Sequence, residues 1–92
     1  MNLIVTPAAA FCFLNEWGYQ AGDCIRLYVR YAGEGGNEPF RLGIAKDVPY
    51  EAGISAQTGK MTFYMESSDM WFLDGKTLTV DCRGEDIEFR LA

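Results

Sequence analysis

In five separate stretches of this chain apolar side chains recur at every second position, a period that commits most of the molecule to β-strands. From Cys24 to Tyr31, the residues Ile25, Leu27, Val29 and Tyr31 share one face, while Arg26, Tyr28 and Arg30 share the other. The same alternation runs through Phe40, Leu42 and Ile44, through Met61, Phe63 and Met65, through Leu78, Val80 and Cys82, and through Ile87, Phe89 and Leu91. A short opening strand adds to these, and the protein is therefore expected to be mostly β. Asp47 to Gly59 contains Pro49, Gly53 and Gly59 and shows no regular period, so it reads as a long loop. Ser67 to Met70 reads as one helical turn, with a serine as its cap and Asp69 near its N-terminal dipole.

One helix is expected near the N-terminus. The Thr6 hydroxyl can cap free amides, and Pro7 loses nothing at the first helical position. Gly18 supplies a stop. Ala10, Phe13, Leu14 and Trp17 stand at i, i+3, i+4 and i+7, a spacing that predicts the face packed on the sheet. Cys12 then points away from that face and Phe11 lies on its flank, leaving apolar surface that a dimer contact could use.

Composition bounds the function. Ninety-two residues make a single domain, 1–92, at a size where roughly 60–65% of the unfolded surface is buried on folding. Hydrophobic residues form 49% of the chain and charged residues 23%, which suits a folded globular protein rather than a disordered one. The net charge of −5 opposes a phosphate backbone, so nucleic acid is not an expected partner. The opening residues lack the basic and apolar regions of a secretory signal, and no apolar run reaches the ~20 residues that cross a bilayer, so a cytoplasmic protein without membrane contact is expected. Three cysteines without a Cys-x-x-Cys fit a reducing compartment. The chain has no histidine, which removes the commonest metal ligand and general base.

Several segments resemble one known family. Leu27-Tyr28-Val29-Arg30-Tyr31-Ala32-Gly33-Glu34-Gly35-Gly36, followed by Phe40-Arg41-Leu42-Gly43-Ile44-Ala45, is similar to the strand–loop–strand of the HesB/IscA-like A-type iron–sulfur cluster carriers. Leu3-Ile4-Val5-Thr6 leading into an Ala-rich helix, and Phe72-Leu73-Asp74-Gly75 ahead of Leu78-Thr79-Val80, extend the resemblance over nearly the whole chain. In the carriers a cluster-binding cysteine follows the first glycine of the loop; here that residue is Glu34. The family's second signature, a Cys-x-Cys pair in a C-terminal tail, would begin beyond Ala92, and Cys82 lies ahead of it in a predicted strand, so the ligand role does not carry over to Cys82. The sequence resembles a divergent HesB-like branch that lacks the ligand cysteines. The resemblance implies an α+β, mostly β, HesB-like domain with a small two-layer β core and one N-terminal helix.

The loop Gly33 to Glu38 admits two readings. Glu34, with Glu38 and Asn37, could offer oxygen ligands to a hard cation where the carriers offer sulfur. Alternatively, Gly33, Gly35 and Gly36 simply supply positive φ in a solvated connection, and the small number of oxygens favours this one. Cys82 shares strand parity with Leu78 and Val80 and reads as a small buried hydrophobe, whereas Cys24 and Cys12 fall on polar sides. Cys24 is the thiol retained as a metal candidate beside Glu34 and Glu38. A shared cluster between subunits needs about four sulfur ligands, which two chains could donate.

Tyr28, Tyr31, Tyr64, Trp71 and Phe72 could line a groove with Arg26 and Arg30 as anion clamps, or could form a β core and an interface, and the spacing favours the second. Arg26, Arg30 and Arg41 could also pair with Glu88 or Asp86 across the sheet. With no Ser-His or Cys-His pair, no Gly-Lys-Ser/Thr phosphate loop and no distinct pair of carboxylates, no catalytic residue is assigned and an enzyme is not expected. The functional expectation is a degenerate or accessory protein of iron–sulfur assembly without direct cluster ligation, with iron or a cluster as the cofactor that the resemblance implies. Its partners would then include iron–sulfur assembly proteins or a second copy of the chain. The alternative is a non-catalytic protein-interaction or small-ligand-binding module on the same fold.

Overall fold

The computed structural model describes residues 1–31 and 39–92. In chain order these form β1 (Asn2–Val5), α1 (Pro7–Asn15), β2 (Cys24–Tyr31), β3 (Phe40–Lys46), β4 (Ala52–Thr58), β5 (Met61–Glu66), a 3-10 helix (Ser67–Leu73), β6 (Thr77–Arg83) and β7 (Asp86–Leu91). The strands make two sheets. One runs β3-β2-β5-β4 and the other β1-β6-β7, with β2–β5 and β1–β6 the parallel pairs. This is the small α+β, mostly β architecture expected of a HesB-like domain.

Each sheet buries one face, and the two faces share a core. Ile25 and Leu27 from β2, Phe63 from β5, and Leu78 and Val80 from β6 are at most 1% exposed. Helix α1 closes this core. Thr6 caps it as the sequence predicts, its hydroxyl oxygen accepting from the Ala9 amide at 3.1 Å, with Pro7 at the first helical position. Phe13 is fully buried, its ring 5.4 Å from that of Phe63 and stacked on Tyr19 at 5.8 Å. Burying such a ring contributes about 1.5–3 kcal/mol.

Three expectations are corrected. The helix ends at Asn15, three residues before Gly18, and its buried residues are Ala9, Ala10, Cys12 and Phe13. Leu14 and Trp17 remain 36% and 42% exposed, so the helix is rotated from the predicted face and Cys12 points inward. The span read as a long loop contains strand β4, antiparallel to β5 with a register shift between Ala52 and Ile54. Gly53 sits at that bulge because a Cβ there would lie 2.5 Å from Met70 Cγ. The turn after β5 runs to Leu73 as a 3-10 helix, and its cap is not a serine: Glu66 holds the cap position without a side-chain bond, and Ser67 Oγ donates to the Glu51 carbonyl at 3.0 Å.

Asp81 ties α1 to its sheet. Its carboxylate accepts from Thr6 Oγ1 at 2.7 Å, from the Cys82 amide at 2.8 Å and from Arg90 at 3.0 Å. The Thr6 hydroxyl, then the Cys82 amide and the Arg90 guanidinium, hold its pKa down from the usual 3.8 to about 2. A carboxyl with a lowered folded pKa adds stability that is present above its unfolded value and is lost as pH falls through the folded one. In urea titrations, Asp81→Asn is therefore expected to be less stable than wild type at pH 7, the two curves converging as pH falls from about 4 to 2. Phe13→Ala is expected to cost about 3–5 kcal/mol in the same measurement at neutral pH.

Candidate functional site

The residues that the family resemblance points to, Gly33, Glu34, Gly35, Gly36, Asn37 and Glu38, lie outside the described residues. The three cysteines lie among the described residues. Cys12 is 2% exposed, and its thiol lies 3.6 Å from the Glu85 carbonyl. Cys82 is half-buried rather than buried, its thiol 3.3 Å from the Gly84 carbonyl, so both thiols converge on the β6–β7 turn. Cys24 stands on the other sheet at the start of β2, opposite Thr62. Among the described residues no three thiol or carboxylate side chains come together as a metal-binding group. A cluster held by about four thiolates is not assembled from these positions within one chain.

Burial pushes the Cys12 thiol up to about 11, and the neighbouring Cys82 thiol and the Glu16 and Glu85 carboxylates act in the same direction. It is consequently a structural thiol rather than the exposed one its helical position suggested. At pH 8 only about one in a thousand such thiols is ionised, so Cys12 is expected to resist alkylation in the native protein and to react fully in urea, read by peptide mass mapping.

Charged side chains also fall out differently from their sequence pattern. Arg26 pairs with Asp69 at 3.5 Å and Asp47 at 3.9 Å, whereas Glu88 pairs with Arg83 and Arg90 on its own sheet. Strand β7, which carries Asp86 and Glu88, belongs to the sheet opposite β2 and β3, which explains why the expected cross-sheet pairs do not form. Asp69 also accepts from the Val29 amide at 3.3 Å, docking the 3-10 helix beside β2 where β5 has ended. Glu66, which the sequence pattern did not single out, is 8% exposed, and its carboxylate accepts from the Tyr50 and Glu51 amides at 3.1–3.3 Å. That carboxylate is occupied in holding the β3–β4 connection.

Of the aromatic residues suggested for a groove, Tyr64 is fully buried, and its hydroxyl has no hydrogen-bond partner among the described residues. Burial raises its pKa. Tyr31 and Trp71 stay 62% and 58% exposed, bridged by Phe40, whose ring lies 5.8 Å from the first and 5.3 Å from the second. Beside them a groove of about 830 Å³ opens, lined by β3 residues 40–42, by Phe72 and Leu78, by Phe89 and Leu91 of β7, and by Arg30. The structure thus joins part of the predicted aromatic set, Phe72, to Arg30 and adds Arg41, while Arg26 is engaged elsewhere.

No family model matches the chain. It is 38% identical over 81 residues to the pyruvate dehydrogenase inhibitor of Bacillus subtilis, covering 87% of this chain and 85% of that protein. Its fold is similar to the crystal structure of Escherichia coli SufA, a protein involved in the biosynthesis of iron–sulfur clusters, with a TM-score of 0.67 and 22% identity over 98% of this chain and 80% of that one. With its two sheets, its capped N-terminal helix and Glu34 standing where the carriers have cysteine, the chain belongs to the HesB/IscA-like family, in a divergent branch with the Bacillus protein.

Proposed function

We propose that the protein is a non-catalytic interaction module that binds pyruvate dehydrogenase and lowers its activity in the cytoplasm, having kept the HesB-like fold without direct cluster ligation at the position-34 loop. The observation that carries this reading is the 38% identity to the Bacillus subtilis pyruvate dehydrogenase inhibitor across 87% of the chain. Glu34 supports it, because the thiolate that the resemblance implies at this loop position is replaced by a carboxylate, a harder ligand less suited to an iron–sulfur centre. Cys12 and Cys82 meet at the β6–β7 turn while Cys24 stands on the other sheet, and this supports it further. The second reading, an accessory role in iron–sulfur assembly, rests on the fold likeness to SufA.

Titrating the purified protein into Bacillus subtilis pyruvate dehydrogenase is expected to reduce its rate in a saturable, stoichiometric manner. In parallel, anaerobic reconstitution with ferrous iron and sulfide is expected to leave the desalted protein without stoichiometric iron. Full pyruvate dehydrogenase activity at saturating protein, together with iron bound in proportion to protein and visible charge-transfer bands, would transfer the assignment to iron–sulfur assembly.

A further inference from the structure

The groove lies between the outer edges of the two sheets. Strand β3 is the edge of one sheet and β7 the edge of the other, and both line it. Among the described residues, β3 makes its backbone ladder with β2 alone, which leaves its other edge open to a further strand. The residues along this edge differ by face. In the β2–β3 register, Tyr31 faces Phe40 and Val29 faces Leu42, on the side that looks toward the core and the groove. Arg30 faces Arg41 directly at the intervening position of the ladder, and both arginines also line the groove.

A cross-strand pair of like charges repels, so an anion lying between or beside the two guanidiniums would stabilise this one. The ion pairs among the described residues use Arg26, Lys46, Arg83 and Arg90, and none uses Arg30 or Arg41. The two arginines are exposed in a chain whose net charge is −5, so the edge of β3 carries a local charge opposite to that of the molecule.

We propose that β3 receives an extended segment of a protein partner as an added strand, and that this segment alternates apolar and acidic residues. Its apolar side chains enter the groove against Leu42, Phe72 and Phe89, and its carboxylates lie beside Arg30 and Arg41. A strand delivers this alternation by its own period of two, with backbone bonds to the β3 edge supplying affinity and the side chains supplying choice. A second copy of the chain docked through its own β3 would bring arginines against arginines, so charge selects a different, acidic segment. Tyr31, Phe40 and Trp71 flank the site with the aromatic surface typical of residues that dominate binding.

This inference rests on the interaction reading above, and its test separates the two. Binding to Bacillus subtilis pyruvate dehydrogenase is measured for the wild type, for Arg30→Glu/Arg41→Glu, and for Lys60→Glu/Arg83→Glu. The last variant makes the same change in net charge at positions outside β3 and the groove. Circular dichroism verifies the fold of each, and hydrogen exchange is followed over β3 in the free and bound protein. The expected result is a loss of about 30-fold or more for the Arg30/Arg41 variant, a change within about 3-fold for the control variant, and slowed exchange of β3 amides in the complex. Equal effects of the two variants, or β3 exchange unchanged on binding, would overturn the added-strand proposal while the interaction reading stands. No binding by the wild type would remove both.

Discussion

Helix α1 is fastened to one sheet by polar contacts and to the other by an apolar one, and the two-layer arrangement depends on that double attachment. At its N-terminus the Thr6 amide donates to the Val80 carbonyl at 3.0 Å, and the Thr6 hydroxyl donates to Asp81, both on β6. Two turns later Phe13 packs on Phe63 of β5. A nine-residue helix is too short to be stable in isolation, so it exists because the sheets hold it, and the sheets stay dry between them because it covers them. Cys12 belongs to the same attachment, its thiol turned to the β6–β7 turn rather than to solvent.

Much of the fold was legible in the sequence because alternation is a direct imprint of a half-buried sheet. The five alternating stretches correspond to β2, β3, β5, β6 and β7, and Thr6-Pro7 marked the helix start to the residue. Strand β4 escaped notice since its inward positions, Ile54, Ala56 and Thr58, include only one large apolar side chain, and a bulge at Gly53 interrupts the period. The helical face was misjudged for a related reason. With apolar residues on nearly every side of α1, spacing alone does not choose among them, and the small side chains of Ala9 and Cys12 fit the sheet where Leu14 does not.

At the site, the sequence revealed chemistry by residue type and the register decided its use. Arg26, Arg30 and Arg41 look equivalent along the chain. The 3-10 helix brings Asp69 to Arg26, whereas the β2–β3 pairing sets Arg30 against Arg41. Carboxylates expected to neutralise them reside on β7, which sits across the core in the second sheet. The resemblance to the HesB/IscA-like family was legible in short motifs on either side of a loop where Glu34 stands in place of the carriers' cysteine.

The parallel pairing of β1 with β6 has a consequence for the order in which the molecule is made. Thr6 and Asp81 are 75 positions apart, so the first strand and the helix behind it have nothing to pair with until most of the chain is present. Closing so large a loop costs entropy before any contact repays it, and such non-local topologies fold slowly for their size. The β2–β3 hairpin, by contrast, needs only neighbouring sequence. During synthesis the N-terminal segment would wait, exposed, for a partner strand near the other end of the chain, which makes it the part of the molecule most dependent on completion of the rest.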